Sequence, residues 1–240
     1  ADDPRIMSRA HVFAGRTVTF GVRSDADVQA SEVRMRGLDG FSASVRTPAG
    51  ALQLDTSLLG TGNLSNVLAA TAVAVTFDVP LDAIASRVSA LRPARRRGEL
   101  LRLPGGVTLI DDSYNSSPTA LKHSLEVVAA ATGSARKVAV LGEMLELGEY
   151  GSLLHGECGQ AAKDAGLDCL FVVGGAAAGE LADAARKAGM PAGSIVFTSN
   201  REEALTELLK RVRPGDLVLV KGSRGIGLDV VVDRLKAEFA

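Results

Sequence analysis

The chain has 240 residues, with Lys+Arg 27 against Asp+Glu 28 and a formal net charge of −1, so it lacks the basic excess that holds nucleic acid through its phosphates. Hydrophobic residues make up 46% and charged residues 23%, a balance that supports a packed core and excludes a disordered chain. Aromatics are only 4%, with no tryptophan; the core must be aliphatic, and platforms for stacking bases or sugars are poorly supplied.

Cys158 and Cys169 cannot make a disulfide framework for a chain of this size, and they fit a reducing, cytoplasmic setting. No run approaches the roughly 18 apolar residues of a membrane span, and the start has neither a basic nor an apolar leader segment. Ala1-Asp-Asp-Pro4 reads as an internal start, as in a chain cut from something longer.

Taken in order, Thr17–Phe20, Val28–Arg36, Phe41–Arg46 and Ala51–Leu54 alternate apolar with polar residues, the pattern of half-buried antiparallel strands. Gly37-Leu-Asp-Gly40 and Pro48-Ala-Gly50 separate them as turns, which predicts a small meander. Helical patterns follow over about Asn63–Phe77 and Leu81–Leu91. The proline and charge run of Leu91-Arg-Pro-Ala-Arg-Arg-Arg97 places a domain boundary there, giving domains 1–93 and 94–240, with Arg92, Arg95 and Arg96 reading as a solvated linker. Beyond it, short continuous apolar strands at Val107–Ile110, Val138–Leu141, Cys169–Val173, Ile195–Phe197 and Leu217–Val220 alternate with helices near Thr119–Ala131, Ser152–Ala165, Ala177–Ala188, Glu202–Arg211 and Leu228–Phe239. This rhythm predicts an α/β fold, a Rossmann-like, mostly parallel sheet with helices on both faces and ligands beyond the carboxyl ends of its strands.

Four stretches carry chemistry. Ile110-Asp-Asp-Ser-Tyr-Asn-Ser-Ser-Pro118 sets two carboxylates, a phenol and an amide at a strand exit. Its Ser117-Pro118 reads as an N-cap followed by proline at the first helical position. A strand-end carboxylate such as Asp112 suits a ribose diol. Leu217-Val-Leu-Val-Lys-Gly-Ser-Arg-Gly-Ile-Gly-Leu228 is a strand and glycine-rich turn where amides, Lys221 and Arg224 can meet an anion. Leu141-Gly-Glu-Met-Leu-Glu-Leu-Gly-Glu-Tyr150 is a strand and acidic loop; Glu146 and Glu149 read as solvated, Glu143 less so. In Gly60-Thr-Gly-Asn-Leu-Ser-Asn66 one asparagine can cap a helix and the other is spare.

The glycine loop alone is similar to the cofactor loop of short-chain NAD(P) oxidoreductases, but such a loop should follow the first strand, and neither tyrosine has a lysine four places on. His11, His123 and His155 lack metal-ligand spacing, no lysine precedes Ser or Thr as in a P-loop, and no Gly-x-Ser-x-Gly elbow is present.

In this order the motifs resemble those of the Mur ligase family, across the whole chain. The carriers are Asp111-Asp-Ser-Tyr-Asn115 with Pro118, Leu141–Glu149 with His155, and Val220-Lys-Gly-Ser-Arg-Gly-Ile-Gly227. The resemblance implies that residues 1–93 are the C-terminal half of a central ATPase domain, with small antiparallel strands plus helices, and that the remainder is the Rossmann-like ligase domain. It implies ATP-dependent amide-bond formation through an acyl phosphate in peptidoglycan synthesis, joining D-alanyl-D-alanine to UDP-N-acetylmuramoyl-tripeptide, in a monomeric parent. By the same resemblance Asn63, Arg97, Asp112, Tyr114 and Asn115 meet the nucleotide, and Glu143, Lys221, Ser223 and Arg224 line the dipeptide cleft. Ser117 stands where the family often has Asn, and Gly62 where it often has His. The P-loop, the carbamylated lysine and the Mg²⁺ ligands fall upstream of Ala1, so the chain alone is expected to hold no catalytic residue and to be inactive. A non-catalytic nucleotide-binding module is the alternative.

Overall fold

The computed structural model describes all 240 residues and divides between Arg92 and Pro93 into two units. The first contains helix α1 (Pro4–Met7), strands β1 (Phe20–Gly21), β2 (Val28–Met35), β3 (Phe41–Thr47) and β4 (Gly50–Thr56), and helices α2 (Gly60–Thr76) and α3 (Leu81–Ala90). The sheet order is β1-β2-β3-β4. As the alternation requires, the last three strands pair antiparallel, and their inward residues Val28, Ala30, Phe41, Ala43, Val45, Leu52 and Leu54 pack on Leu64, Val67 and Leu68 of α2 and Ile84 and Val88 of α3.

Two details differ from the sequence expectation. The first strand shrinks to two residues and pairs parallel with β2, and the connection that follows it is tied to the start of the chain. The Asp2 carboxylate accepts from Val22 N at 2.8 Å, Arg23 N at 3.0 Å and Ser24 N at 2.8 Å. Helix α2 begins at Gly60 with Leu59 in the capping position, and neither asparagine caps it.

The second unit contains β5 (Glu99–Arg102), β6 (Thr108–Asp112), α4 (Pro118–Ala130), β7 (Arg136–Gly142), α5 (Gly151–Asp164), β8 (Cys169–Val173), α6 (Ala176–Lys187), β9 (Ile195–Thr198), α7 (Arg201–Arg211), β10 (Asp216–Lys221) and α8 (Asp229–Glu238). The order across the sheet is β5-β6-β10-β7-β8-β9, so the last strand in the chain lies at its centre. Five strands are parallel, and β5 alone runs antiparallel, against β6. On one face Val107, Leu109, Val138, Val140, Val218 and Val220 meet Ala204 and Leu208 of α7 and Val231, Val232 and Leu235 of α8. Helices α4, α5 and α6 cover the other face, where Ile110, Ala139, Leu141, Leu170, Val172 and Leu219 are buried. Strands covered on both sides need continuous apolar runs, which is what the sequence carries.

Helices α5 and α6 approach closely through Gly159. A methyl group there would lie 2.2 Å from the Leu181 carbonyl oxygen and 2.8 Å from Ala184 Cβ. Gly159→Ala is therefore expected to lower stability by about 1–3 kcal/mol through overpacking, although alanine is the better helix former. Gly156→Ala, on the same helix with nothing within 4 Å of the added carbon, is the control. Chemical denaturation of the two variants checks this, and equal effects would show that the crossing is not tight.

Both thiols are buried and free. Burial pushes the Cys158 thiol up to about 11 and raises that of Cys169, with Arg211 pulling the other way, so neither is a reactive thiolate at neutral pH.

Candidate nucleotide and substrate site

The parallel register brings the strand exits together. Lys221, the last residue of β10, pairs with Asp112 at the end of β6 and with Leu141 of β7, and Gly142 pairs with Val173 of β8. Side chains alternate across the sheet, so the two aspartates of β6 part company. Asp111 is fully buried on the α8 face, where Oδ1 accepts from Ser113 Oγ at 2.6 Å and Oδ2 lies 3.9 Å from Lys236 Nζ. Asp112 points to the α4 face, and its Oδ2 accepts from Lys221 Nζ at 2.6 Å and from Ser124 Oγ at 2.8 Å.

Lys221 is only 3% exposed. A charge so deeply placed must be paired and hydrogen-bonded, and the ammonium also donates to the Asn115 carbonyl at 3.0 Å. That bond ties the β10 exit to the loop after β6. Asn115 turns its own amide oxygen back to accept from Ser116 N at 2.8 Å. Beside this pair the Tyr114 ring is exposed, with the Arg97 guanidinium 4.1 Å and the Arg224 guanidinium 5.6 Å from its centroid. Both arginines are exposed, stacked on an aromatic face as guanidinium groups favour.

The loop after β7 is fastened to the loop after β10. Gly142 and Gly222 lie against each other, a carbon on Gly142 falling 3.1 Å from Gly222 Cα, so these motif glycines permit backbone-to-backbone approach. Ser223 N donates to the Glu143 carbonyl at 3.2 Å, and Ser223 Oγ accepts from Leu145 N at 2.9 Å. Glu143 itself reaches the start of α6, where Oε2 accepts from Gly175 N at 2.5 Å, a position in which a carboxylate also suits the helix dipole. His155 is fully buried; Nε2 accepts from Met144 N at 2.9 Å while Nδ1 donates to the Gly151 carbonyl at 2.7 Å. The imidazole clamps the loop that carries Glu143.

Of the residues singled out from the sequence, Arg97, Asp112, Tyr114, Asn115, Lys221 and Arg224 form one linked group, with Glu143 and Ser223 forming an adjoining one. Asn63 belongs to the first unit, one turn into α2, and its Nδ2 donates to the Leu59 carbonyl at 2.8 Å. Ser117 is an N-cap, accepting from Ala120 N at 3.4 Å. Glu146 and Glu149 are exposed. Among the described residues no group of three or more His, Cys, Asp and Glu is placed to hold a metal ion.

Three contributors escaped the sequence reading. Ser124 has no motif around it. Arg201 donates from Nη1 to the Ile226 carbonyl at 3.3 Å, bracing the turn that ends at left-handed Gly227, where a side chain would strike that guanidinium. Arg96 is no solvated linker residue, since it pairs with Asp229 and Asp233; the two carboxylates four apart on α8 were the available signal.

At the opposite, amino edge of the sheet a shallow cavity is lined by Arg136, Arg211 and Arg213, but their donors are committed to the fold. Arg136 bonds Asp216, which raises its pKa, and the Arg211 carbonyl, while Arg211 and Arg213 donate to the carbonyls of Gly193, Lys210 and Val212.

Comparison with known proteins agrees with the resemblance noted from the sequence. The Mur ligase middle domain matches residues 1–74 and the Mur ligase glutamate ligase domain matches residues 96–224. Among curated relatives, the UDP-N-acetylmuramoyl-tripeptide–D-alanyl-D-alanine ligase of Bacillus subtilis is 28% identical over 234 residues, 98% of this chain and 50% of that protein. The ligase of the same name from Synechocystis is 32% identical over 241 residues, 99% of this chain and 49% of that protein. Among solved structures, MurF ligase from Thermotoga maritima in complex with ADP superposes with a TM-score of 0.81 at 25% identity, covering 99% of this chain and 52% of that one. MurF from Acinetobacter baumannii gives 0.78 at 25% identity, over 92% and 46%. The chain thus spans about half the length of the curated relatives it matches. With the glutamate ligase domain alone covering more than half of its residues, the chain belongs to the Mur ligase family.

Proposed function

We propose that the chain is the C-terminal part of an ATP-dependent ligase of peptidoglycan synthesis that joins D-alanyl-D-alanine to UDP-N-acetylmuramoyl-tripeptide. The observation that carries this reading is the paired strand exit: Asp112 held by Lys221 at 2.6 Å, beside the Arg97–Tyr114 stack, in the crevice where ligands of such sheets bind. The relatives named for that reaction support the substrates, and the ADP complex among the solved structures supports the nucleotide.

In this reading Lys221 and Ser124 occupy one oxygen of Asp112 and leave Oδ1 to accept from a ribose hydroxyl. Arg97 makes no ion pair, so its fork of donors is available to nucleotide oxygens. Tyr114 and Asn115 border that position, and Asn63 is assigned to the adenine. The neighbouring basic loop, with Lys221, Ser223 and Arg224, and Glu143 across from it, is assigned to the incoming dipeptide. Arg224 is the group free to meet a carboxylate, because Lys221 is buried on Asp112 and the Asn115 carbonyl and Ser223 and Glu143 already fasten the two loops. ATP supplies the phosphate that activates the acceptor carboxylate, and Mg²⁺ and the phosphate-gripping loop are assigned to a segment upstream of this chain.

The test is ligation itself. The 240-residue chain is expected to form no dipeptide adduct from ATP, UDP-N-acetylmuramoyl-tripeptide and D-alanyl-D-alanine, and a protein extended upstream through a complete central domain is expected to do so, with release of ADP and phosphate. Phosphate release and adduct mass would be measured together. Ligation by the short chain would overturn the upstream assignment, and an extended protein inert with D-alanyl-D-alanine would overturn the substrate.

A further inference from the structure

Arg96 combines features that its position in a charge run conceals. Its φ is +63°, a left-handed conformation that costs about 1 kcal/mol or more for a residue with a β-carbon and persists only when the surroundings impose it. The surroundings here are specific. Arg96 Nη1 lies 2.6 Å from Asp229 Oδ2, and Nη2 lies 3.2 Å from Asp233 Oδ2. These carboxylates sit one turn apart on α8 and share a face. The Arg96 carbonyl accepts from Tyr114 N at 3.1 Å. The next residue, Arg97, lies over the Tyr114 ring, and Arg97 N donates to the Ala94 carbonyl at 3.0 Å. The Arg96 side chain is 25% exposed, against 34% and 54% for the two aspartates, so the latch is partly sheltered from solvent screening.

We infer that Arg96 is the positioning residue for Arg97. Its guanidinium, latched across Asp229 and Asp233, fixes a turn that the chain does not otherwise favour, and that turn lays Arg97 on Tyr114 while docking the Tyr114 amide on the Arg96 carbonyl. Helix α8 begins directly after the loop bearing Arg224, so one helix anchors both arginines that approach the ring. Side chain, backbone and ring act as one unit: release of the latch lets φ relax to the common region and swings Arg97 away. The value of this arrangement to the reaction rests on the nucleotide role proposed for Arg97, but the geometry stands apart from it.

Two measurements keep these separate. In the 240-residue chain, NMR should show the Arg97 side-chain protons shifted upfield by the Tyr114 ring. Arg96→Met keeps the β-carbon that disfavours the positive φ and lacks the latch, whereas Arg96→Gly accepts that φ without strain and should hold more of the turn. Loss of the upfield shift in Arg96→Met, the same loss in Asp229→Asn/Asp233→Asn, no further change when the two are combined, and a smaller loss in Arg96→Gly and in Arg96→Lys are the expected results. Retention of the shift in Arg96→Met would overturn the proposal. In a ligase extended upstream, Arg96→Met should raise the ATP KM about ten-fold with kcat within about two-fold. Loss of the ring shift with an unchanged ATP KM would uphold the latch and overturn the nucleotide role of Arg97 instead.

Discussion

Replacing Lys221 by methionine should destabilise the second unit by about 3 kcal/mol, the lower part of the range for removing one partner of a buried ion pair. The Lys221 side chain is 3% exposed and that of Asp112 17%. The variant leaves a carboxylate holding only the Ser124 hydroxyl at 2.8 Å, and it frees the Asn115 carbonyl that Lys221 met at 3.0 Å. The partial exposure of Asp112 lets water recover some of the loss, which is why the larger values are not expected. Methionine keeps most of the volume, so a cavity contributes little. The double variant Lys221→Met/Asp112→Leu should regain much of the stability, because the cost lies in stranding one charge rather than in losing the pair. Urea denaturation read with linear extrapolation gives both numbers. A loss below about 1 kcal/mol in the single variant would mean that the pair behaves as a surface contact.

Asp112→Ala, in a ligase extended upstream, should raise the ATP KM by ten-fold or more, equivalent to about 1.4 kcal/mol or greater. Charge-assisted bonds from a ribose hydroxyl contribute about 1.5–3 kcal/mol each, so the loss of one acceptor suffices. The structure adds a complication, because the same substitution strands Lys221. Asp112→Asn separates the effects. It keeps an oxygen for Lys221 but removes the charge and turns one acceptor into a donor. Asn should therefore retain more stability than Ala while still weakening ATP. An unchanged ATP KM in a variant that melts like the parent would sink the ribose role.

The second unit was legible because its signals are local. Five continuous apolar runs became five parallel strands, and the helices between them start and stop within a residue or two of where their periodicity does. Strand exits were legible as well: Asp112 and Lys221 end their strands, and Glu143 follows the last residue of β7. What the sequence cannot show is which exits become neighbours. The Asp112–Lys221 pair depends on β10 inserting beside β6 across 109 residues of sequence separation, and no local pattern encodes that. Strand β5 went unread because Glu-Leu-Leu-Arg neither alternates nor forms a long apolar run. It is an edge strand, set by pairing with β6 rather than by propensity. Parallel pairing of β1 with β2 escaped because alternation marks a strand without giving the direction of its partner. Asn63 illustrates a subtler limit: a polar residue in a glycine-rich helix start reads as a cap, yet the helix began three residues earlier and the amide turned back on Leu59. Arg96 was misread for a similar reason, since a charge run announces solvent and its partners lie 133 and 137 residues away.

The central place of β10 governs when this unit can fold. Until residues 216–221 leave the ribosome, β5–β6 and β7–β8–β9 are two sheet fragments without the strand that joins them, each exposing unpaired edges of the kind that invite misassociation. Closing the sheet demands contacts between segments far apart in sequence, and such closure is slow. A chain cut short before residue 216 would therefore leave the sheet of this unit unjoined, with only sticky halves for the chaperone and protease machinery to clear.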